Sequence, residues 1–120
     1  MRILIISPCF NLSAKAQASM NILCIKEIAE QDLETIKKLS PDLIYLSVRF
    51  PGHLTQPGCL QGPQILKKLK ERLPNVPVVG VSSVWNKLEK EFAKDGLADV
   101  ISASKLQILF PHLSWTDHLS

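Results

Sequence analysis

The chain reads as a three-layer α/β sandwich, a parallel sheet with helices on both faces. Short, unbroken apolar runs alternate with segments of helical periodicity. The runs are too continuous to have one solvated face, so they suit strands buried on both sides. Parallel strands in turn need helical crossovers between them. The 120 residues make a single domain, 1–120, without linker, internal repeat or low-complexity tract.

Ile3 to Ile6, Leu43 to Val48 and Val76 to Val81 are the strongest strands, rich in Ile, Leu and Val. Asn21 to Ile25 and Ala98 to Ala103 are weaker candidates for the second and fifth positions. Little chain separates Ser7 from the second strand, so the first helix is expected to be short, distorted or partly absent. Leu33, Ile36 and Leu39 share the apolar face of the next helix, with Glu34, Lys37 and Lys38 outside it and Asp32 as its cap. Ile65, Leu66, Leu69 and Leu73 form an apolar stripe opposite Lys67, Lys68, Lys70 and Glu71, and Pro74 stops that helix. Leu88 and Phe92 mark a helix from near Asn86 to Gly96. Lys105 to Leu113 is a short last helix, interrupted or ended by Pro111. Ser114 to Ser120 reads as a disordered tail or a boundary. The order β-α-β-α-β-α-β-α-β-α with right-handed crossovers predicts a flavodoxin-like five-stranded sheet in the order 2-1-3-4-5.

Composition narrows the classes of function. A hydrophobic fraction of 46% with 21% charged residues is that of an ordinary globular protein. A net charge of +3 is too small to imply nucleic acid by itself. No apolar run approaches the roughly 20 residues of a membrane span. The opening MRILIIS lacks the longer apolar region and cleavage site of a signal peptide and reads as a first strand. Cys9, Cys24 and Cys59 are irregularly spaced, with no C-x-x-C pair, which suits reduced thiols in the cytoplasm.

The segment Ser40 to Gly52, SPDLIYLSVRFPG, resembles the third strand and following turn of response-regulator receiver domains, the phospho-acceptor modules of two-component signalling. The resemblance continues through Gly62 to Ser83, GPQILKKLKERLPNVPVVGVSS, and Gly96 to Ser102, GLADVIS. In receivers, two acidic residues after strand one hold a divalent cation and an aspartate after strand three attacks phosphorus. A Ser or Thr after strand four and a Lys after strand five bind the phosphoryl oxygens. The metal is needed because the attacking carboxylate and the phosphate are both anionic. Carried onto this chain, the acidic pair becomes Ser7 and Pro8, neither a hard-cation ligand. The acceptor becomes Ser47, a weak nucleophile with no evident base beside it. Ser82 keeps its type, and the Lys position holds Ala103, with Lys105 two residues on. The resemblance therefore implies a degenerate pseudo-receiver without aspartyl phosphorylation, and no enzyme. No carboxylate pair, catalytic triad or Gly-rich phosphate loop offers another reaction.

Where receivers have a short connection, this chain inserts HLTQPGCLQ between Gly52 and Gly62. It lies at the expected carboxyl edge of the sheet, where open α/β folds bind ligands, and carries His53, Thr55, Gln56 and Cys59. A tolerated surface loop is the plainer reading; a lid or contact loop is the functional one. MRILIISPCFN and Leu46-Ser47-Val48 also resemble the cobalamin-binding domains attached to radical-SAM enzymes. Against that stand Ser82-Ser83 in place of the usual Gly-Gly, and the missing Asp-x-His-x-x-Gly motif. A soft-metal or thiol site from Cys9, Cys59 and His53 has no spacing signature, and no metal or other cofactor is expected. Cys24 reads as a small core residue.

Lys67, Lys68, Lys70 and Arg72, then Lys87, Lys90 and Lys94, form basic stripes, but Glu71, Glu89, Glu91 and Asp95 interleave them. A solvated mixed-charge face follows, and nucleic acid is not an expected partner. Trp85 lies at the edge that an active receiver repacks and is either a core cap or a partner contact. Receivers commonly dimerise or bind partners through their fourth helix, fifth strand and fifth helix. Leu109, Phe110 and Trp115 lie in that last region. The expectation is a protein-interaction module in bacterial signal transduction, docking a protein partner or a second copy through that surface. The alternative is small-molecule sensing, cobalamin-like or otherwise, at the carboxyl edge beneath His53, Cys59 and Trp85.

Overall fold

A computed structural model describes residues 1–8, 10–47, 58–82 and 96–115. The described elements are β1 (Ile3–Ile6), β2 (Phe10–Asn11), α1 (Ala14–Met20), β3 (Ile22–Ile25) and α2 (Asp32–Leu39). They continue with β4 (Leu43–Ser47), α3 (Gly62–Arg72), β5 (Val78–Ser82), β6 (Asp99–Ser102), α4 (Ala103–Leu109) and β7 (Ser114–Trp115). The helix expected from Asn86 to Gly96 lies, but for Gly96, outside the described residues.

The main sheet has the order β3-β1-β4-β5-β6, and every pair is parallel. With the two-residue β2 set aside, this is the expected 2-1-3-4-5 order. Alternation along the strands divides the core in two. Leu4 and Ile6 of β1 and Ile44 and Leu46 of β4 pack with Leu33 and Ile36 of α2 and Ile65, Leu66 and Leu69 of α3. Ile5 and Tyr45 face the other way, onto Phe10, Leu106 and Leu113. Both faces are covered, which is why these strands read as continuous apolar runs. The Tyr45 ring meets Phe110 edge-on at 5.8 Å, and burial raises the Tyr45 phenol above its ordinary value.

The first helix is short, as expected, and its ends are well formed. Ser13 Oγ accepts from Ala16 N at 3.2 Å, and Asn21 closes the helix in the left-handed region at φ 55°. α1 contains no buried residue, so apolar packing alone does not hold it. Its Gln17 instead clasps two neighbours. Gln17 Nε2 donates to the Leu12 carbonyl at 2.8 Å, and Gln17 Oε1 accepts from Cys24 N at 3.0 Å.

Several boundaries differ from expectation. Asp32 is the first residue of α2 and not its cap; its carboxylate reaches back to Ala29 N at 2.8 Å. α3 begins at Gly62, with Pro63 in its first turn, where a missing N–H costs no helical bond. The last helix spans Ala103–Leu109, earlier than Lys105 to Leu113, because Ser102 Oγ caps it by accepting from Lys105 N at 3.0 Å. Ser114 and Trp115 are not a disordered tail. They pair antiparallel with Asn11 and Phe10, while 116–120 lie outside the described residues.

Candidate functional site at the carboxyl edge of the sheet

The carboxyl ends of β1, β4, β5 and β6 bring together the positions singled out in the sequence. Ser7 follows β1, Ser47 ends β4, Ser82 ends β5, and Ala103 follows Ser102 at the end of β6. The β1–β4 register pairs Ile6 with Leu46, so Ser7 and Ser47 are the next residues along neighbouring strands. Ser82 pairs with Ser102 across β5 and β6. Ser7, Ser47 and Ser82 are the buried polar residues among those described. Ser7 N donates to the Ile25 carbonyl at 2.9 Å, which ties this end of β1 to β3. Alternation puts Ser7 and Ser47 on the sheet face of Ile5 and Tyr45, and Ser82 on the face of Val78.

What this edge can do chemically follows from its donors. The three hydroxyls offer hydrogen bonds but no formal charge, and the alanine methyl offers neither. A divalent cation needs several hard, preferably anionic, oxygens. Among the described residues, no group of three or more His, Cys, Asp or Glu could hold a metal ion. Pro8 turns the chain without adding a side-chain ligand, and Ala103 is buried.

Of the insertion loop, Gly58, Cys59, Leu60 and Gln61 are described; His53, Thr55 and Gln56 lie outside the described residues, as do Cys9 and Trp85. The described end is anchored to the segment after β3. Cys59 bridges Ala29, and Leu60 N donates to the Ile28 carbonyl at 2.8 Å. Partial burial, the nearby Glu27 and Asp32 carboxylates and a hydrogen bond to Glu27 all push the Cys59 thiol above its ordinary value. Glu27 beside Cys59 was not foreseen. The two are far apart in sequence, and the Ala29–Cys59 bridge and the Leu60–Ile28 hydrogen bond bring their segments together. Cys24 is half-buried and not fully in the core; its thiol donates to the Phe10 carbonyl at 3.6 Å, and burial pushes it up to about 11. Neither thiol is a ready thiolate for soft-metal or redox chemistry.

The surface expected to dock a partner is described at β6 and α4. Ala103 and Leu106 face inward on α4, while Ile108 is 77% and Leu109 52% exposed. Phe110, also named from sequence, is instead half-buried against Tyr45. The basic face of α3 is partly neutralised: Lys68 and Arg72 pair with Glu30, and Arg72 also reaches Glu34. No described helix is long and apolar enough to cross a membrane.

No protein-family model matches the chain, and no curated protein does. Solved structures are similar in fold. NtrX from Brucella abortus, solved with ADP, superposes with a TM-score of 0.61 at 19% identity over 92% of this chain, which spans 26% of the NtrX chain. A LuxR-family DNA-binding response regulator from Staphylococcus aureus gives 0.56 at 16% identity, covering 87% of this chain and 88% of that one. A Burkholderia pseudomallei response regulator, solved with a phosphorylated aspartic acid, calcium ion and citrate, gives 0.60 at 11% identity, covering 88% of this chain and 64% of that one. The chain therefore has the flavodoxin-like fold of response-regulator receiver domains.

Proposed function

We propose that this chain is a pseudo-receiver, a receiver-fold module of bacterial signal transduction that works by binding a protein and not by phosphoryl transfer. One observation carries the reading. The buried polar residues at the ends of the three central strands are Ser7, Ser47 and Ser82, where phosphoryl transfer needs anionic ligands and an anionic nucleophile. A neutral hydroxyl set is a poor host for a divalent cation, and an acyl phosphate needs a carboxylate that none of these three positions supplies. The serines then serve as fixed hydrogen-bonding groups that hold the strand ends in one arrangement.

The exposed Ile108 and Leu109 at the end of α4 support the binding half of the proposal, because apolar side chains left in solvent favour burial against a partner. Cytoplasmic residence suits such a role. Nothing at Cys59 favours small-molecule sensing over this reading, since its thiol is already bonded to Glu27.

Two measurements test the proposal. Incubation with acetyl phosphate and Mg²⁺, followed by intact-mass analysis, is expected to give no phosphoryl adduct. An adduct at Ser47, or a Mg²⁺-dependent response to beryllium fluoride, would overturn the loss of chemistry. Partner capture from host extract is expected to fail with Ile108→Glu and Leu109→Glu in one protein. Undiminished capture by that folded variant would remove α4 from the interface.

A further inference from the structure

A cavity lies at the opposite end of the sheet from the serines. It opens at the amino edge, where β1 and β3 start and α1 and α2 end, and has a volume of about 220 Å³. Its floor includes Leu4 and Ile22, both buried in the core. Leu23, Leu39 and Pro41 line it further, and Leu23 is left 36% exposed on the sheet's edge strand. The volume has room for roughly seven water-sized groups at about 30 Å³ each. An apolar floor of this kind is poorly hydrated, so an apolar chain gains by replacing solvent there.

The charged group that lines it is Arg2, with the neutral Gln17 and Asn21 also in the wall. Arg2 Nη1 donates to the Leu39 carbonyl, which fixes the guanidinium over the end of α2. A guanidinium has five N–H donors, and this bond uses one. The ion pairs among the described residues are Lys68–Glu30, Arg72–Glu30 and Arg72–Glu34; none involves Arg2. Asp42 is close by, but its carboxylate accepts from the Arg2 backbone N–H at 2.7 Å. A positioned cation beside an apolar cavity recognises an anion with an apolar body, and guanidinium favours the planar carboxylate.

We propose that the amino-edge cavity binds a small carboxylic acid with an apolar tail of about six to eight carbons. Its carboxylate meets the remaining N–H donors of Arg2, and its tail lies along Leu23, Leu39 and Pro41. The site is separate from the serine edge and holds whether or not the chain is a pseudo-receiver.

Octanoate is the probe, titrated into the full chain and followed by amide chemical shifts. Saturable binding is expected, with the largest shifts at Ala18, Leu23 and Leu39. Octanol, with the same tail and no charge, should bind at least about tenfold more weakly, the loss of one charge-assisted contact. Arg2→Met should lose affinity by a similar factor while Arg2→Lys retains part of it, and Leu23→Asp should abolish binding. Equal binding of octanol and octanoate by the unaltered protein would overturn the role of Arg2, whatever happens to the stability of the variants. Shifts that do not saturate, or that map away from the amino edge, would overturn the site.

Discussion

Replacing Gln17 by alanine isolates the polar clasp that seats α1. The β1–β3 bonds run from Ile3 N to the Asn21 carbonyl and from Ser7 N to the Ile25 carbonyl. In a parallel ladder alternate residues point to the same side, so Cys24 directs its N–H away from β1, toward the free edge of the sheet. Gln17 Oε1 caps that N–H, and Gln17 Nε2 satisfies the Leu12 carbonyl. The substitution removes both bonds. Each is worth about 0.5–1.5 kcal/mol net, and water reaches this half-buried edge to replace part of the loss. The expected cost is about 1–2 kcal/mol, with little lost to cavity formation because α1 buries no residue. For a domain of this size that lowers Tm by roughly 4–8 °C. Urea unfolding measures the energy, and hydrogen exchange at the Cys24 amide reports the site. An unchanged Tm together with unchanged Cys24 exchange would refute the argument, because it would mean that α1 is held by something other than Gln17.

Other expectations follow from particular residues. Phe10→Ala removes a side chain that is 1% exposed beneath the β2–β7 ribbon and should cost about 3–5 kcal/mol in denaturant unfolding; a loss under about 1 kcal/mol would show that the ribbon does not pack as described. The Glu30 carboxyl is held below its ordinary 4.5 chiefly by the hydrogen bond from Lys68; desolvation opposes this, and the Lys68 and Arg72 charges add to the lowering. The folded state therefore binds that proton more weakly than the unfolded chain. The stabilisation is present above the unfolded value and disappears as pH falls through the lower folded one. Thermal melts from neutral pH downward should show this component in the unaltered protein and not in Glu30→Gln, with the difference shrinking in high salt; identical curves would remove the pairing. Alkylation of Cys24 and Cys59, mapped by peptide mass, should be slow at neutral pH in the folded protein and fast after unfolding. Fast labelling of folded Cys24 would contradict its burial.

Much of the fold was legible because its cause is local. Ile3 to Ile6 is apolar throughout and Leu43 to Ser47 at every position but the last, and residues with no polar face have nowhere to go but between two layers. Leu33 and Ile36, and Ile65, Leu66 and Leu69, repeat at helical spacing because one face of each helix meets the sheet. The signals for α1 were also present, Ser13 ahead of an alanine-rich run and Asn21 after it, but with no apolar stripe they were weak. Ser102 before Ala103-Ser104-Lys105 carried the start of α4 in the same way.

At the serine edge, the residue types come from the sequence, and so does the absence of carboxylates at the matching positions. That Ser7, Ser47 and Ser82 are all buried, and that Ser7 and Ser47 end adjacent strands on one face, is a property of the sheet order and register. The β2–β7 ribbon, the Glu27–Cys59 contact and the Arg2 cavity belong wholly to tertiary structure. Each joins segments distant in the chain through few residues, with no period or composition to announce it. A pattern in sequence records which faces must leave water; it does not record which distant segment arrives to cover them, and that is settled when the layers pack.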